Sequence, residues 1–520
     1  MKVRSLSSLS TVTTLLVQTS IAWPQNSVTV KWTINEQKIR VMEGEWTSTG
    51  VIADIVANGD QEDPFYVMDL GEVVSRYRRW KELMPRVEPF YAVKCNNDKL
   101  LVTTLAALGA GFDCASKAEI ELITSIGVHG LVTQLPRWPD GLAQGLCQVF
   151  LPFWLGDLPC NFLLSALTTR SEWNGVVSTF REISCERIIF ANPAKMASHI
   201  RYASATGVDV MTFDSETELV KVKQCMPHAQ LVIRIRCDAE SAQCPLGIKF
   251  GCDPITEAPR LLKLAAVLGL EVIGVSFHVG SGASETDVYA RAIAFSRALF
   301  ALGYSAGHRR MRLLDIGGGF PGGMDSSIRE AAQVINSALE EHFPERAVRV
   351  IAEPGRYFAA AAYTLAAMVH AKREDAEGID EELHTMYFIN DGVYGSFNCV
   401  LYDHQQVAAE PLEESAEKPS ACSVWGPTCD GLDCVLPRTR LPPLRTGSWL
   451  IFRDMGAYTL PVASPFNGFP VPRVRAVIDT RVWYVGFLMR RMTGPQSPDP
   501  DSEPEPTCEH RAVFVECALK

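Results

Sequence analysis

From residue 87 to residue 353 the chain alternates short apolar runs, rich in β-branched and aromatic residues, with longer stretches of helical period. The apolar runs close on Lys94, on Ser116 (GFDCAS), on Asn192 (RIIFANP), on Asp214, on Arg236, on His278, on Gly317 and on Glu353. Strand and helix in strict alternation predict parallel βαβ units. About eight of them in series predict an α/β fold, a TIM-type (β/α)8 barrel whose polar strand ends form one active face. A further strand candidate at residues 64–70 leads into a helical pattern through Trp80. After Arg356 the runs become shorter and are separated by turn residues (MYFINDGVYGSFNCVLYD, GSWLIFRDMGAYTL), which predicts a mainly antiparallel β domain. The expected division is an atypical extension at 1–40, the first part of the β domain at 41–60, the barrel at 61–364, the rest of the β domain at 365–487, and an acidic, proline-rich tail at 488–520 expected to be disordered.

One interval breaks the rhythm. The stretch between Ser116 and Asn192 is far longer than its neighbours, and the excess, residues 130–184, is rich in Trp, Leu, Phe and Pro without a clean period, so it reads as an insert. Lying between a helix and a strand, it is expected on the N-terminal face of the barrel, away from the chemistry. The first thirty or so residues carry Lys2 and Arg4 followed by a Ser/Thr/Leu-rich segment, which mimics a targeting peptide but is too diluted and short to span a membrane.

Charge narrows the function classes. With 49 basic and 60 acidic side chains and a net charge of −11, the chain lacks the footprint of a nucleic-acid or anionic-membrane binder, which leaves small-molecule chemistry. The fifteen cysteines show neither CxxC pairs nor regular spacing, so no metal site is expected and the thiols are read as mostly reduced.

The candidate chemistry sits at the strand ends. Pro89 to Asn96 (PFYAVKCN) is a buried-strand pattern delivering one amine, Lys94. A buried amine must be paired, titrate low or be held as an imine, although lysines at strand ends are ordinarily solvated. Gly317 to Gly322 (GGGFPG) follows a strand and offers backbone N–H groups to a phosphate. HVGSG from His278 adds a flat imidazole and a hydroxyl, and EPGR from Glu353 adds a carboxylate and a guanidinium. Each has an ordinary structural use, as a core histidine or an ion pair. Together they are what pyridoxal phosphate requires.

In this order YAVKCN, GFDCAS, ANP, FHVGSG, DIGGGFPG, AEPGRY, DGVYGSFNC, WGPTCDG and an NGF motif closely resemble the eukaryotic ornithine decarboxylase family, from about Val41 to Phe469 apart from the insert. The resemblance implies a pyridoxal-phosphate-binding barrel, an additional β domain, and a homodimer with shared active sites, expected in the cytoplasm. The reaction it implies is decarboxylation of L-ornithine to putrescine, the first step of polyamine synthesis.

Carried over position by position, Lys94 would hold the cofactor as an imine and Glu353 would pair with its ring nitrogen. His278 would stack on the ring, while Ser281, Gly318, Gly319, Gly355, Arg356 and Tyr458 would hold the phosphate, with Asp113 and Arg234 as flanking charges. Asp403 and Asp430 would receive the distal ammonium of the substrate beside Tyr402 and Phe466, and Cys429 would return a proton to Cα. Cys429 and Asp430 would come from the partner subunit, and Lys249 and Asp433 would form a salt bridge between subunits. The same family includes antizyme inhibitors, inactive binding proteins, and the segment from Arg201 to His228 resembles its antizyme-binding region. The alternative expectation is therefore an inhibitor, and antizyme is an expected partner under both. Lysine and arginine stand as other possible substrates.

Overall fold

The computed structural model describes residues 30–34, 37–127, 184–237, 247–282, 285–375 and 384–482. The extension before residue 30, all of the insert 130–184 but Ser184, and the tail lie outside the described residues.

Three strands precede the barrel, β1 (Val30–Ile34), β2 (Gln37–Met42) and β3 (Phe65–Asp69). The barrel itself is built from β4 (Val87–Ala92), β5 (Gly111–Cys114), β6 (Ile188–Phe190), β7 (Val210–Phe213), β8 (Gln230–Arg236), β9 (Glu271–His278), β10 (Leu313–Asp315) and β11 (Arg349–Ala352). These eight parallel strands close on themselves in the order β10-β11-β4-β5-β6-β7-β8-β9. Every apolar run read from the sequence between residues 87 and 353 is one of these strands, and each expected polar terminus lies within about three residues of a strand end. Helices return the chain between them. Asp98 caps the helix Lys99–Leu108 by accepting from the Leu100 N–H at 2.8 Å, and Gly109, at φ 101°, ends it in the left-handed conformation that favours glycine.

The barrel interior is a small apolar cluster of Phe90, Ile189, Val232, Ile273, Leu313 and Ile351, one side chain from each of six strands. Gly111 makes the room for Phe90, since a Cβ on it would sit 2.6 Å from that ring. Side chains alternate along a strand, so the residues two positions on, Ala92, Arg234, Asp315 and Glu353, belong to the next layer toward the C-terminal mouth.

The remaining strands are β12 (Tyr363–Asp375), β13 (His384–Ile389), β14 (Glu410–Pro411), β15 (Ser420–Trp425), β16 (Cys434–Leu441), β17 (Trp449–Phe452) and β18 (Arg473–Asp479). With β1, β2 and β3 they form a second sheet of ten strands, ordered β1-β2-β18-β3-β12-β13-β15-β16, with β17 pairing to β12 and β14. Most of its pairings are antiparallel, while β18 runs parallel to β2 and β3, and β13 to β15.

Two boundaries differ from expectation. The sheet starts at β1 rather than at residue 41, and β3 joins it between β18 and β12 rather than entering the barrel region that begins at 61. A buried strand running straight into the helix Leu70–Leu83 has the local pattern of a βα unit, and only its non-local partners assign it to a sheet. Among the described residues no helix is long and apolar enough to cross a membrane.

Candidate active site

Lys94 occupies a single 3-10 turn, Val93–Cys95, directly after β4. Its Nζ donates to Oδ2 of Asp113 at the end of β5, while its side chain remains 41% accessible and Asp113 is fully buried. Burial pulls the lysine pKa down, but the carboxylates of Asp113 and Glu353 outweigh it and hold the amine above its ordinary value. Oδ1 of Asp113 finds no hydrogen-bond partner among the described residues.

His278 ends β9 and is held as a neutral imidazole. Its Nδ1 accepts from the Gly280 N–H at 3.0 Å, and burial, then the charges of Arg234 and Lys94, keep its pKa well below the usual value. The glycine loop packs directly on it, for a Cβ on Gly318 would lie 2.7 Å from His278 Nε2. Gly319, at φ 108°, has no room for one either, with Val279 Cγ2 at 2.6 Å. Phe320 anchors this loop, its ring 4.8 Å from buried Trp80 and 5.4 Å from Tyr289, whose hydroxyl donates to Gly318 O at 2.9 Å.

Glu353 follows β11 and is almost fully buried. Its N–H donates to Gly317 O at 2.7 Å, and burial together with the nearby carboxylates of Asp113 and Asp315 pushes its pKa well up. Arg356 opens the short helix Arg356–Ala359. Its Nη2 donates to Ser281 Oγ at 3.0 Å and to both oxygens of Asp403 at 2.7 and 2.9 Å, and its guanidinium lies 5.1 Å from the Tyr458 ring centre. Tyr458 is held at φ 55° by a hydrogen bond from its N–H to Cys95 O. Gly355 packs against Cys95 so closely that a Cβ on the glycine would lie 2.8 Å from the cysteine Cβ.

These contacts gather Lys94, Asp113, Arg234, His278, Ser281, Gly318, Gly319, Glu353, Gly355, Arg356, Tyr458 and Asp403 at one end of the barrel. Cys429, Asp430, Tyr402 and Phe466 are placed differently. Cys429 is exposed and its N–H donates to Asn467 Oδ1 at 3.2 Å. The Tyr394 hydroxyl donates to Asp430 Oδ2, and its ring packs 4.4 Å from that of Phe466. Tyr402 is 71% exposed.

Lys249 and Asp433, expected to pair between subunits, have these surroundings within one chain. Asp433 is buried and accepts from the Val393 N–H at 2.8 Å, the Thr428 N–H at 3.0 Å and Thr428 Oγ1 at 2.6 Å. Lys249 is exposed with its Nζ 5.0 Å from the ring of its own neighbour Phe250. Three local donors close the loop around Asp433.

Residue patterns alone missed Tyr289, Tyr394 and Asn467, which position others through non-local bonds. They also missed Asp315, although an acid inside an apolar strand is itself a signal.

The donor set fits pyridoxal phosphate: an accessible amine, a buried carboxyl, an imidazole face, a hydroxyl and guanidinium together, and a glycine loop whose backbone alone fills its space. Residues 70–132 and 169–360 match the sequence profile of the pyridoxal-dependent decarboxylases, pyridoxal binding domain. The unmatched gap lies inside the segment read as an insert. Rat (Rattus norvegicus) ornithine decarboxylase is 42% identical, the alignment covering 82% of this chain and 83% of that protein. The chain belongs to the ornithine decarboxylase family. Family membership extends to antizyme inhibitor 2 of Xenopus laevis, 41% identical over 88% of this chain and 91% of that protein. Among solved structures, the arginine decarboxylase of Paramecium bursaria Chlorella virus is 33% identical and superposes with a TM-score of 0.69, covering 82% of this chain and 100% of that one.

Proposed function

We propose that this chain decarboxylates L-ornithine to putrescine with pyridoxal phosphate, working as a cytoplasmic homodimer. The observation that carries the reading is the junction of Lys94 with Asp113, beside Glu353 and the Ser281–Arg356 pair, at neighbouring strand ends. When bound, pyridoxal phosphate supplies an electron-withdrawing ring that takes up the electron pair released as the carboxylate leaves as CO₂. Lys94 would hold the cofactor until a substrate amine replaces it. Asp113 holds the Lys94 amine protonated whenever that amine is free. Glu353 would pair with the ring nitrogen, and neutral His278 would offer the ring a flat surface without a competing charge.

Ser281, Arg356 and the backbone of the glycine loop hold the phosphate. Asp403 and Asp430 suit the charged tail of a basic amino acid, because an ammonium out of water needs carboxylate partners. Arg356 already engages Asp403, so a substrate tail shares that carboxylate with a guanidinium. Cys429 Sγ delivers the proton that replaces CO₂ on Cα. Within one chain Cys429 and Asp430 bond to Asn467 and Tyr394 rather than to the Lys94 group, which supports a site completed by a second subunit.

A second reading, an antizyme inhibitor, is favoured by the Xenopus relative. Retention of the amine, both flanking carboxylates and the phosphate donors favours the enzyme. Antizyme stands as a partner in either case, through the segment from Arg201 to His228. The test is CO₂ release from ornithine, lysine and arginine by cofactor-saturated protein. Ornithine is expected to be the best substrate, and cofactor-loaded protein releasing CO₂ from none of the three would leave the inhibitor reading standing.

A further inference from the structure

Asp315 has no place in the chemistry above, yet it occupies a position where an acid is costly. β10 and β11 pair in parallel, Leu313 with Arg349 and Asp315 with Ile351. Leu313 and Ile351 point into the apolar barrel interior, which puts Asp315 and Glu353, each two residues further along, in the layer above. Asp315 is fully buried. Its Oδ1 accepts from the Gly317 N–H at 2.9 Å, whereas Oδ2 receives no N–H or hydroxyl donor among the described residues. The neighbouring carboxyl is that of Glu353, at the end of the adjoining strand and close enough to interact with Asp315, and two carboxyls hydrogen-bond only when one of them carries a proton.

We propose that Asp315 is a positioning residue for Glu353: the two carboxyls share one proton across the mouth of β10 and β11, and Asp315 thereby orients Glu353 and sets its protonation toward a basic ring nitrogen. This rests on the pyridoxal phosphate reading. The surroundings agree with one shared proton. Facing the pair are Asp113 from β5, which opposes a second negative charge, Lys94 from the turn after β4 and Arg234 from β8, which favour the first, and uncharged His278 from β9. Burial, the largest influence, raises both carboxyls, Asp315 to about 6. When a neutral ring nitrogen meets Glu353, the shared proton passes from the Glu353 carboxyl to that nitrogen, leaving a carboxylate beside an N–H⁺. Asp315 remains bonded to Gly317 and compensated by Arg234. No atom or electron is left over.

The alternative is that Asp315 only caps the Gly317 N–H. Asp315→Asn separates the two roles, since the amide oxygen keeps the cap while the negative charge and the proton acceptor for Glu353 are lost. The experiment measures the dissociation constant of pyridoxal phosphate across roughly pH 5 to 9 for wild type, Asp315→Asn and Asp315→Leu, on protein verified as folded by circular dichroism. The proposal expects Asp315→Asn to move the pH-dependent limb of the affinity downward by about one pH unit or more, because Glu353 ionises more easily without a neighbouring charge. Asp315→Leu is expected to weaken binding about tenfold and to abolish the limb. The cofactor's own titrations are common to all three proteins and cancel in the comparison. Wild-type pH profiles in folded Asp315→Asn would overturn the proposal, whatever the state of the leucine variant. Wild type that binds no pyridoxal phosphate at any pH would overturn the cofactor reading, and the proposal with it.

Discussion

Lys195 and Glu218 form a buried ion pair between the loop after β6 and the helix Glu216–Cys225 after β7, and Glu218→Ala is the perturbation that exposes what it does. Lys195 Nζ is fully buried and lies 2.9 Å from Glu218 Oε1, while donating to Thr212 O at 2.5 Å and Asn192 O at 3.1 Å. Glu218 is spent twice more, accepting from the Lys195 N–H at 3.2 Å and pairing with Lys221 at 2.5 Å. Burial lowers the Lys195 pKa from 10.5 to about 8 even with the carboxylate present. Removing the carboxylate leaves a buried ammonium held by two carbonyls, and breaking such a pair costs about 3–5 kcal/mol. That is a large share of the ~5–15 kcal/mol that stabilises a domain.

The sign of the pH dependence follows. A lysine whose folded pKa is depressed binds fewer protons folded than unfolded, so wild-type stability rises as pH climbs from about 8 toward 10.5. In Glu218→Ala the folded pKa falls further and that gain starts at lower pH. Urea denaturation near pH 6 and near pH 9 should therefore show a penalty that shrinks at the higher pH. The double variant Lys195→Met with Glu218→Leu should recover most of the loss. An equal penalty at both pH values, or a double variant as unstable as the single one, would refute the reasoning.

Gly318→Ala places a methyl group 2.7 Å from His278 Nε2 and 3.0 Å from Glu353 O, two groups the site uses. Cofactor affinity, read by absorbance titration, should fall about tenfold or more, on the order of 1.4 kcal/mol. Asp391 is buried, and burial pushes its carboxyl from 3.8 to about 6 against the hydrogen bonds it accepts from Ser396 and Gly392. Here the folded state binds the proton more tightly. Its stabilising contribution is full below about pH 4 and lost as pH rises through 6, so Asp391→Asn should flatten the stability curve in that window by about 3 kcal/mol, measured by denaturation midpoints.

The barrel was legible in the sequence because each of its strands is buried on both faces and ends on a polar residue, which marks the element and its active end together. Lys94, His278, Glu353 and Arg356 could be read as a group for the same reason: one fold rule brings successive strand ends to one mouth. Partners distant in sequence were not legible. β3 has the local texture of a barrel strand but pairs with β12 and β18, and the donors around Asp433 come from Thr428 nearby and from Val393 across a loop. Asp315 was visible within DIGGG, but nothing local says that its neighbour is Glu353, because the contact exists only once β10 and β11 pair.

The central claim is that Lys94 holds the cofactor. Borohydride reduction of the pyridoxal-phosphate-loaded protein, followed by peptide mass mapping, reads it on the unmodified chain. The account predicts a single reduced adduct on the peptide carrying YAVKCN, at Lys94, and loss of the visible absorbance band in step with its formation. An adduct on another lysine, or a bound cofactor that reduction fails to attach, would contradict it.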